Sequence, residues 1–179
     1  MREIAVAVRS GGARQLLHDL ERRWSGPPRL PARVCRLAVV CAGNICRSPL
    51  AERLLERALP ELEVGSFGLA TSEGRPADPR ACRLAKQNGL DLSRHRTRGL
   101  NREAVASADL VLVMDARQAH QVERLAPARR DRVLLLGDFS PGWPFAIPDP
   151  YGGSDARWQS VWMQLLRAVE GLTARLRTP

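Results

Sequence analysis

Lysine is almost missing from this chain: of its 28 basic residues only Lys86 is not an arginine. Aromatic residues are scarce as well, at 4% of 179 residues, with Tyr151 the single tyrosine. The formal net charge of +9 would suit an anionic partner. Single-stranded nucleic-acid binders, however, interleave basic and stacking aromatic side chains. The arginines here are scattered through helices and loops, so no nucleic-acid partner is expected. Long apolar runs are absent too. "LAVVCAG" and "LVLVM" fall far short of the roughly 20 residues a spanning helix needs, which excludes membrane insertion through such a helix. "MREIAVAVRSGG" lacks a small-residue cleavage site behind a real hydrophobic core, so a secretory signal is not expected. Four cysteines are too few for a disulfide scaffold. No Cys-x-x-Cys pair occurs, and His18, His95 and His120 lack ligand spacing, so neither metal nor cofactor is expected. The expected compartment is the cytoplasm.

What is present reads as one α/β domain with an appendage. Residues 1–33 form an N-terminal extension. A weak strand-like start precedes "ARQLLHDLERRW", where Leu16, Leu17, Leu20 and Trp24 share a helical face, and "SGPPRLP" breaks regular structure. The apolar face makes this leader a candidate regulatory, docking or assembly element. From residue 34 to 179 short apolar strands alternate with helices. The strands are "VCRLAVVC", "LEVGSFGL", "ADLVLVMD" and "DRVLLLGD". The helices are "SPLAERLLERAL", with proline near its start, "DPRACRLAKQNGL", stopped at Asn88-Gly89, and "ARQAHQVERLA". A last helix from about Ser154 sets Trp158, Val161, Leu165, Val169 and Leu172 on one face. Such alternation predicts a mostly parallel sheet covered on both faces.

The chemistry concentrates in "CAGNICRSP", residues 41–49, between the first core strand and its helix. Ligands of open parallel sheets bind where strands end in loops, and a helix N-terminus favours an anion. Gly43 permits backbone N–H groups to converge on that anion. Arg47 supplies a planar fork for two phosphate oxygens. Cys41, in a cationic setting at a helix N-terminus, is then a thiolate nucleophile facing the phosphorus, and Ser48 can donate to its sulfur. Displacing an alkoxide or phenolate needs a proton donor. "IPDPYGG" offers Asp149, on a proline-stiffened loop after the fourth strand, with Tyr151 placed to flank an aromatic substrate. Asp138 is a possible second acid, although "LLGDF" reads better as loop chemistry. Trp143 and Phe145 either touch substrate or anchor the proline loop. Cys35 and Cys82 read as core packing.

"VCAGNICRSP" with a downstream "DPY" resembles the low-molecular-weight protein tyrosine phosphatases. The resemblance runs from about Arg33 to the C-terminus and includes Ser66 and Gly68, "DPRA" at 78–81 and "HRTR" at 95–98. It implies a four-stranded parallel sheet flanked by helices on both faces, with the phosphate-binding loop after the first core strand and no metal. By position, Cys41 matches the nucleophile, Arg47 the phosphate clamp and Asp149 the general acid and base. Ala42, Gly43, Asn44, Ile45, Cys46 and Ser48 match the rest of the loop. Asn44 would stabilise its shape with support from Ser66 and His95. Cys46 matches a second cysteine that in relatives can form a protective disulfide with the nucleophile. The chain departs from eukaryotic relatives in lacking the aromatic wall after Ser66, where Leu69 can serve instead, and in having one tyrosine after Asp-Pro. "GNICRSP" and "FGLA…EGRPADPRA" look most like the bacterial exopolysaccharide-operon branch, which implies a phosphotyrosine protein, such as a tyrosine autokinase, as partner.

Three rival functions follow from the same residues. Thioredoxin-coupled arsenate reductases share the loop but need two closely spaced downstream cysteines, and none lies in residues 83–179. Arginine phosphatases carry threonine just before the second cysteine, where Ile45 stands. A non-catalytic phosphoprotein-docking module would have lost Cys41, Arg47 or Asp149, and all three are present.

Overall fold

The computed structural model describes residues 11–26, 28–142 and 145–178. Helix α1 (Gly11–Ser25) is followed by β1 (Arg36–Cys41), α2 (Arg47–Ala58), β2 (Glu63–Gly68), α3 (Pro79–Gln87) and α4 (Arg102–Ser107). Then come β3 (Leu110–Val113), α5 (Ala116–Leu125), β4 (Val133–Leu135) and α6 (Asp155–Arg177). A 3-10 turn (Pro127–Arg132) leads into β4, and a second (Leu136–Phe139) leads out of it. The strand-like start of the leader and Trp143 lie outside the described residues.

The four strands pair in parallel in the order β2-β1-β3-β4. Parallel strands buried on both faces need unbroken apolar runs. β1 and β3 meet that demand, with residues 37–41 and 110–113 all buried. One face is covered by α2, α3 and α6, whose Leu50, Leu54, Leu84, Leu165 and Val169 pack with Leu37 and Val39. The opposite face carries α4 and α5, with Val105, Ala119 and Val122 against Ala38, Val40 and Val111. Every residue predicted for the inward stripe of α6 is buried, each such side chain contributing on the order of 1.5–3 kcal/mol. Side-chain caps start the helices: Asp78, Asn101, Asp115 and Ser154 accept from backbone N–H groups at the second or third helical residue.

Two expectations are corrected. The run "LLLGD" does not continue as strand: β4 stops at Leu135 and the chain turns at Leu136. Cys35 is exposed, because the strand starts one residue later and only the Cys35 backbone is engaged, donating to Asp109 Oδ2 at 2.8 Å. The apolar stripe of the leader helix lies on the surface. Leu16, Leu17, Leu20 and Trp24 are all exposed, Trp24 at 86%. Instead α1 presents Ala13, His18, Asp19 and Arg22 inward. No helix among the described residues is long and apolar enough to cross a membrane.

Candidate active site

β1 is flanked by β2 on one side and β3 on the other, so its C-terminal end opens into the crevice where chains of this topology bind ligands. The segment from Cys41 to Arg47 turns there, ending at the first residue of α2. Asn44 makes the turn possible. It adopts a left-handed φ of 52°, a conformation asparagine tolerates better than most residues.

The fully buried Asn44 side chain and backbone are saturated. Nδ2 donates to Ser48 Oγ and to Ser66 Oγ, each at 2.9 Å. Oδ1 accepts from the Arg98 backbone N–H at 2.8 Å. The Asn44 carbonyl accepts from His95 Nε2 at 2.8 Å, which fixes the proton on that nitrogen because a carbonyl can only accept. Ser66 in turn donates to Glu52 Oε2 at 2.8 Å. Burial alone would raise the Glu52 carboxyl. The nearby His95 ring, whose Nδ1 lies 3.8 Å from Oε2, the Ser66 hydrogen bond and the charges of Arg53 and Arg98 outweigh it and hold the group below its ordinary range. Gly68 lets this cluster close, since a Cβ there would sit 3.1 Å from the Asn44 Cβ and 2.8 Å from Thr71.

The cluster aims two donors at Cys41. The Asn44 N–H lies 3.3 Å from Cys41 Sγ, and Ser48 Oγ lies 3.1 Å from it. Because Ser48 Oγ already accepts from Asn44, its own proton is free for the sulfur; the alternative acceptor, the Phe67 carbonyl, is farther at 3.4 Å. This arrangement stabilises a thiolate. Cys46 is different. Burial, and then the carboxylates of Asp78 and Asp149 and the neighbouring Cys41, push its thiol well above the ordinary range. The loop thus holds one sulfur supplied with donors and one kept neutral. Both cysteines are free thiols.

Cys41, Ala42, Gly43, Ile45, Cys46 and Arg47 line a cavity of about 250 Å³ together with Ala70, Arg75, Asp149 and Tyr151. Arg47 is 3% exposed and spans from loop to loop. One terminal nitrogen donates to the Ile147 carbonyl at 3.1 Å and the other pairs with Asp149 Oδ2. Arg47 Nε is buried with no hydrogen-bonding partner among the described residues, so the guanidinium retains a donor for an anion. Asp149 Oδ1 accepts from the Tyr151 N–H at 3.1 Å, which orients the carboxyl.

The structure therefore gathers Cys41, Arg47, Asp149, Tyr151 and the loop residues at one cavity. Asn44, Ser48, Ser66 and His95 form the layer behind it. Leu69 stands apart: it lines a neighbouring groove of about 670 Å³, shared with Arg47, Asp149, Asp115 and Gln118. Phe145 is half-buried and does not line the cavity. Asp138 is not there either; it is buried against α1. Sequence reasoning missed Arg75, a second cation on the cavity wall, and Glu52 and Arg98, which complete the Asn44 cluster. The "EGRP" loop gave Arg75 no periodicity to mark it, and Arg98 acts through its backbone, which no residue type advertises. Among the described residues no group of three or more His, Cys, Asp or Glu side chains could hold a metal ion.

The parallel sheet with a cysteine–arginine loop at the end of its first strand fits a phosphatase, and the chain belongs to the low molecular weight phosphotyrosine protein phosphatase family, whose profile matches residues 36–179. It is 38% identical over 141 residues to a probable low molecular weight protein-tyrosine-phosphatase, EpsP, of Ralstonia nicotianae, covering 79% of this chain and 95% of that one. Among solved structures it resembles the tyrosine phosphatase Wzb from Escherichia coli K30 in complex with sulphate. The TM-score is 0.76 and the identity 37%, with 80% of this chain and 99% of that one covered. It also resembles the YwlE arginine phosphatase from Geobacillus stearothermophilus, with a TM-score of 0.75 and 32% identity over 80% and 94% of the two chains.

Proposed function

We propose that the chain hydrolyses phosphotyrosine on proteins through a phosphocysteine intermediate, acting in the cytoplasm on a tyrosine autokinase linked to exopolysaccharide production. The observation that carries this reading is the pair of donors on Cys41 Sγ inside a cavity that also holds Arg47 and Asp149. The substrate phosphate enters that cavity, and Arg47 exchanges Asp149 for two phosphate oxygens. The thiolate attacks phosphorus in line with the leaving phenolate, the S–P bond forming as the P–O bond breaks. Asp149, now beside an anion rather than a cation, holds the proton that it passes to the phenolate oxygen. The resulting carboxylate takes a proton from water as the water oxygen attacks the thiophosphate, releasing inorganic phosphate and regenerating Cys41. Ser48 and the Asn44 N–H stabilise the sulfur both as nucleophile and as leaving group. Tyr151, exposed at the mouth, offers a ring to flank the phenol.

Arginine phosphatase activity is the second reading, favoured by the similarity to the YwlE structure. Ile45, which lines the cavity, stands against it, being bulkier than the threonine that a resemblance to that branch would place there. Turnover of phosphotyrosine, phosphoserine and phosphoarginine peptides by the wild type, Cys41→Ser and Asp149→Ala separates these. Expected are a strong preference for phosphotyrosine, loss of turnover in Cys41→Ser, and a fall of about 10²–10⁴ in Asp149→Ala. Preferential phosphoarginine turnover would overturn the reading.

A further inference from the structure

Helix α1 precedes the family-matched residues 36–179, yet it is tied into the part of the molecule that carries the acid. Asp138 sits in the turn that leaves β4 and begins the segment ending at Asp149. Its side chain is 2% exposed, and a carboxyl so buried requires hydrogen-bonding or charged partners. Among the described residues its two side-chain partners both come from α1, more than 110 residues upstream: His18 Nε2 hydrogen-bonds to Oδ1 at 2.8 Å and the Arg22 guanidinium pairs with the same carboxyl, Nε lying 3.2 Å from Oδ2. A second tie joins Gln15 Oε1 to the Ala116 backbone N–H at 2.8 Å, at the first residue of α5. The adjacent Asp115 and Gln118 line the groove that Arg47 and Asp149 also line. Both anchors of α1 therefore land where the chain leaves β3 and β4, at the edge of the sheet that builds the site.

The Asp138 turn bears directly on the acid segment. Gly137, next to Asp138, is approached so closely by the Phe145 carbonyl that a Cβ there would lie 1.8 Å from its oxygen. Two residues on, the Ile147 N–H donates to the Met114 carbonyl at 2.8 Å, and the Ile147 carbonyl receives Arg47. Two residues further stands Asp149. We propose that His18, Arg22 and Asp138 are positioning residues: through them α1 clamps the turn that supports Phe145–Asp149 and so sets the general acid over the Cys41 cavity. The inference rests on Asp149 acting as that acid.

The test measures kcat/KM of the full chain on two aryl phosphates, phenyl phosphate with a poor leaving group and 4-nitrophenyl phosphate with a good one. This parameter covers the steps up to loss of the leaving group, so a misplaced proton donor penalises the poor one selectively. His18→Ala/Arg22→Ala is expected to lose about 10-fold on phenyl phosphate and less than about 3-fold on 4-nitrophenyl phosphate, while Arg22→Lys stays near the wild type on both. Asp149→Ala provides the reference and should show the same skew, larger. Where the double variant melts below the assay temperature, Arg22→Gln, which keeps a donor but removes the charge, reads the same ratio. An equal fall on both substrates, or no change in a folded variant, overturns the clamp while leaving the acid assignment intact. An unskewed Asp149→Ala overturns the acid assignment and the clamp with it.

Discussion

Cys41 and Cys46 lie five positions apart on one loop, yet their surroundings set them opposite tasks. Cys41 receives two donors, whereas Cys46 is held neutral by burial and by the carboxylates of Asp78 and Asp149. Because the thiolate and not the thiol is the nucleophile, a Cys46 held neutral does not compete with Cys41 for an electrophile in the cavity. The raised folded-state value has a thermodynamic consequence. An unfolded thiol ionises near pH ~8.5 and the folded one does not, so the stability gained from the neutral Cys46 is complete below that pH and is lost as pH rises beyond it. Cys46→Ala removes the group. The wild type is expected to lose melting temperature between about pH 8.5 and 10 more steeply than Cys46→Ala, at up to about 1.4 kcal/mol per pH unit. Parallel slopes in thermal melts would refute this.

At the scale of elements, α1 inverts the usual arrangement of a surface helix. Its leucines face out, while Gln15, His18 and Arg22 make its contacts. Leu17→Glu and Leu20→Glu are therefore expected to change stability by less than about 0.5 kcal/mol, as exposed substitutions do, whereas burial of that stripe in the core would have cost each several times more. Chemical denaturation of the full chain separates the two outcomes. The inversion also explains where sequence reading stopped. Periodicity located the helix and its apolar stripe correctly, but which stripe turns inward depended on Asp138, far along the chain and read as loop chemistry. α4 escaped notice because six residues with one buried apolar side chain, Val105, give no period to detect. The strands, α2, α3, α5 and α6 were legible because each is long or uniformly apolar enough to record its burial in its own sequence. The loop of the site was legible for a different reason: its residue types are dictated by the ligand and not by packing.

For the whole molecule, the site is an assembly of distant segments closed over one loop. β1 and α2 supply the sulfur and guanidinium, the loop after β2 supplies Ala70 and Arg75, and the segment before α6 supplies Asp149 and Tyr151. In the free protein Arg47 joins the first and last of these, through the Ile147 carbonyl and through its ion pair with Asp149. That pair amounts to a tethered ligand: a carboxylate of the protein's own, held at the high effective concentration that covalent connection provides, already seated on the cation that phosphate must claim. Every anion entering the cavity binds against this internal competitor, and its measured affinity is net of displacing it. Asp149→Asn removes the competitor's charge without emptying its place. Although slower in turnover, this variant is expected to bind inorganic phosphate more tightly by calorimetry than the wild type does, and to gain more melting temperature from the same phosphate concentration. Equal affinities would mean that the pair offers phosphate no resistance. Tighter binding would show that Asp149, before any substrate arrives, serves as an occupant of the very site in which it is proposed to act as acid.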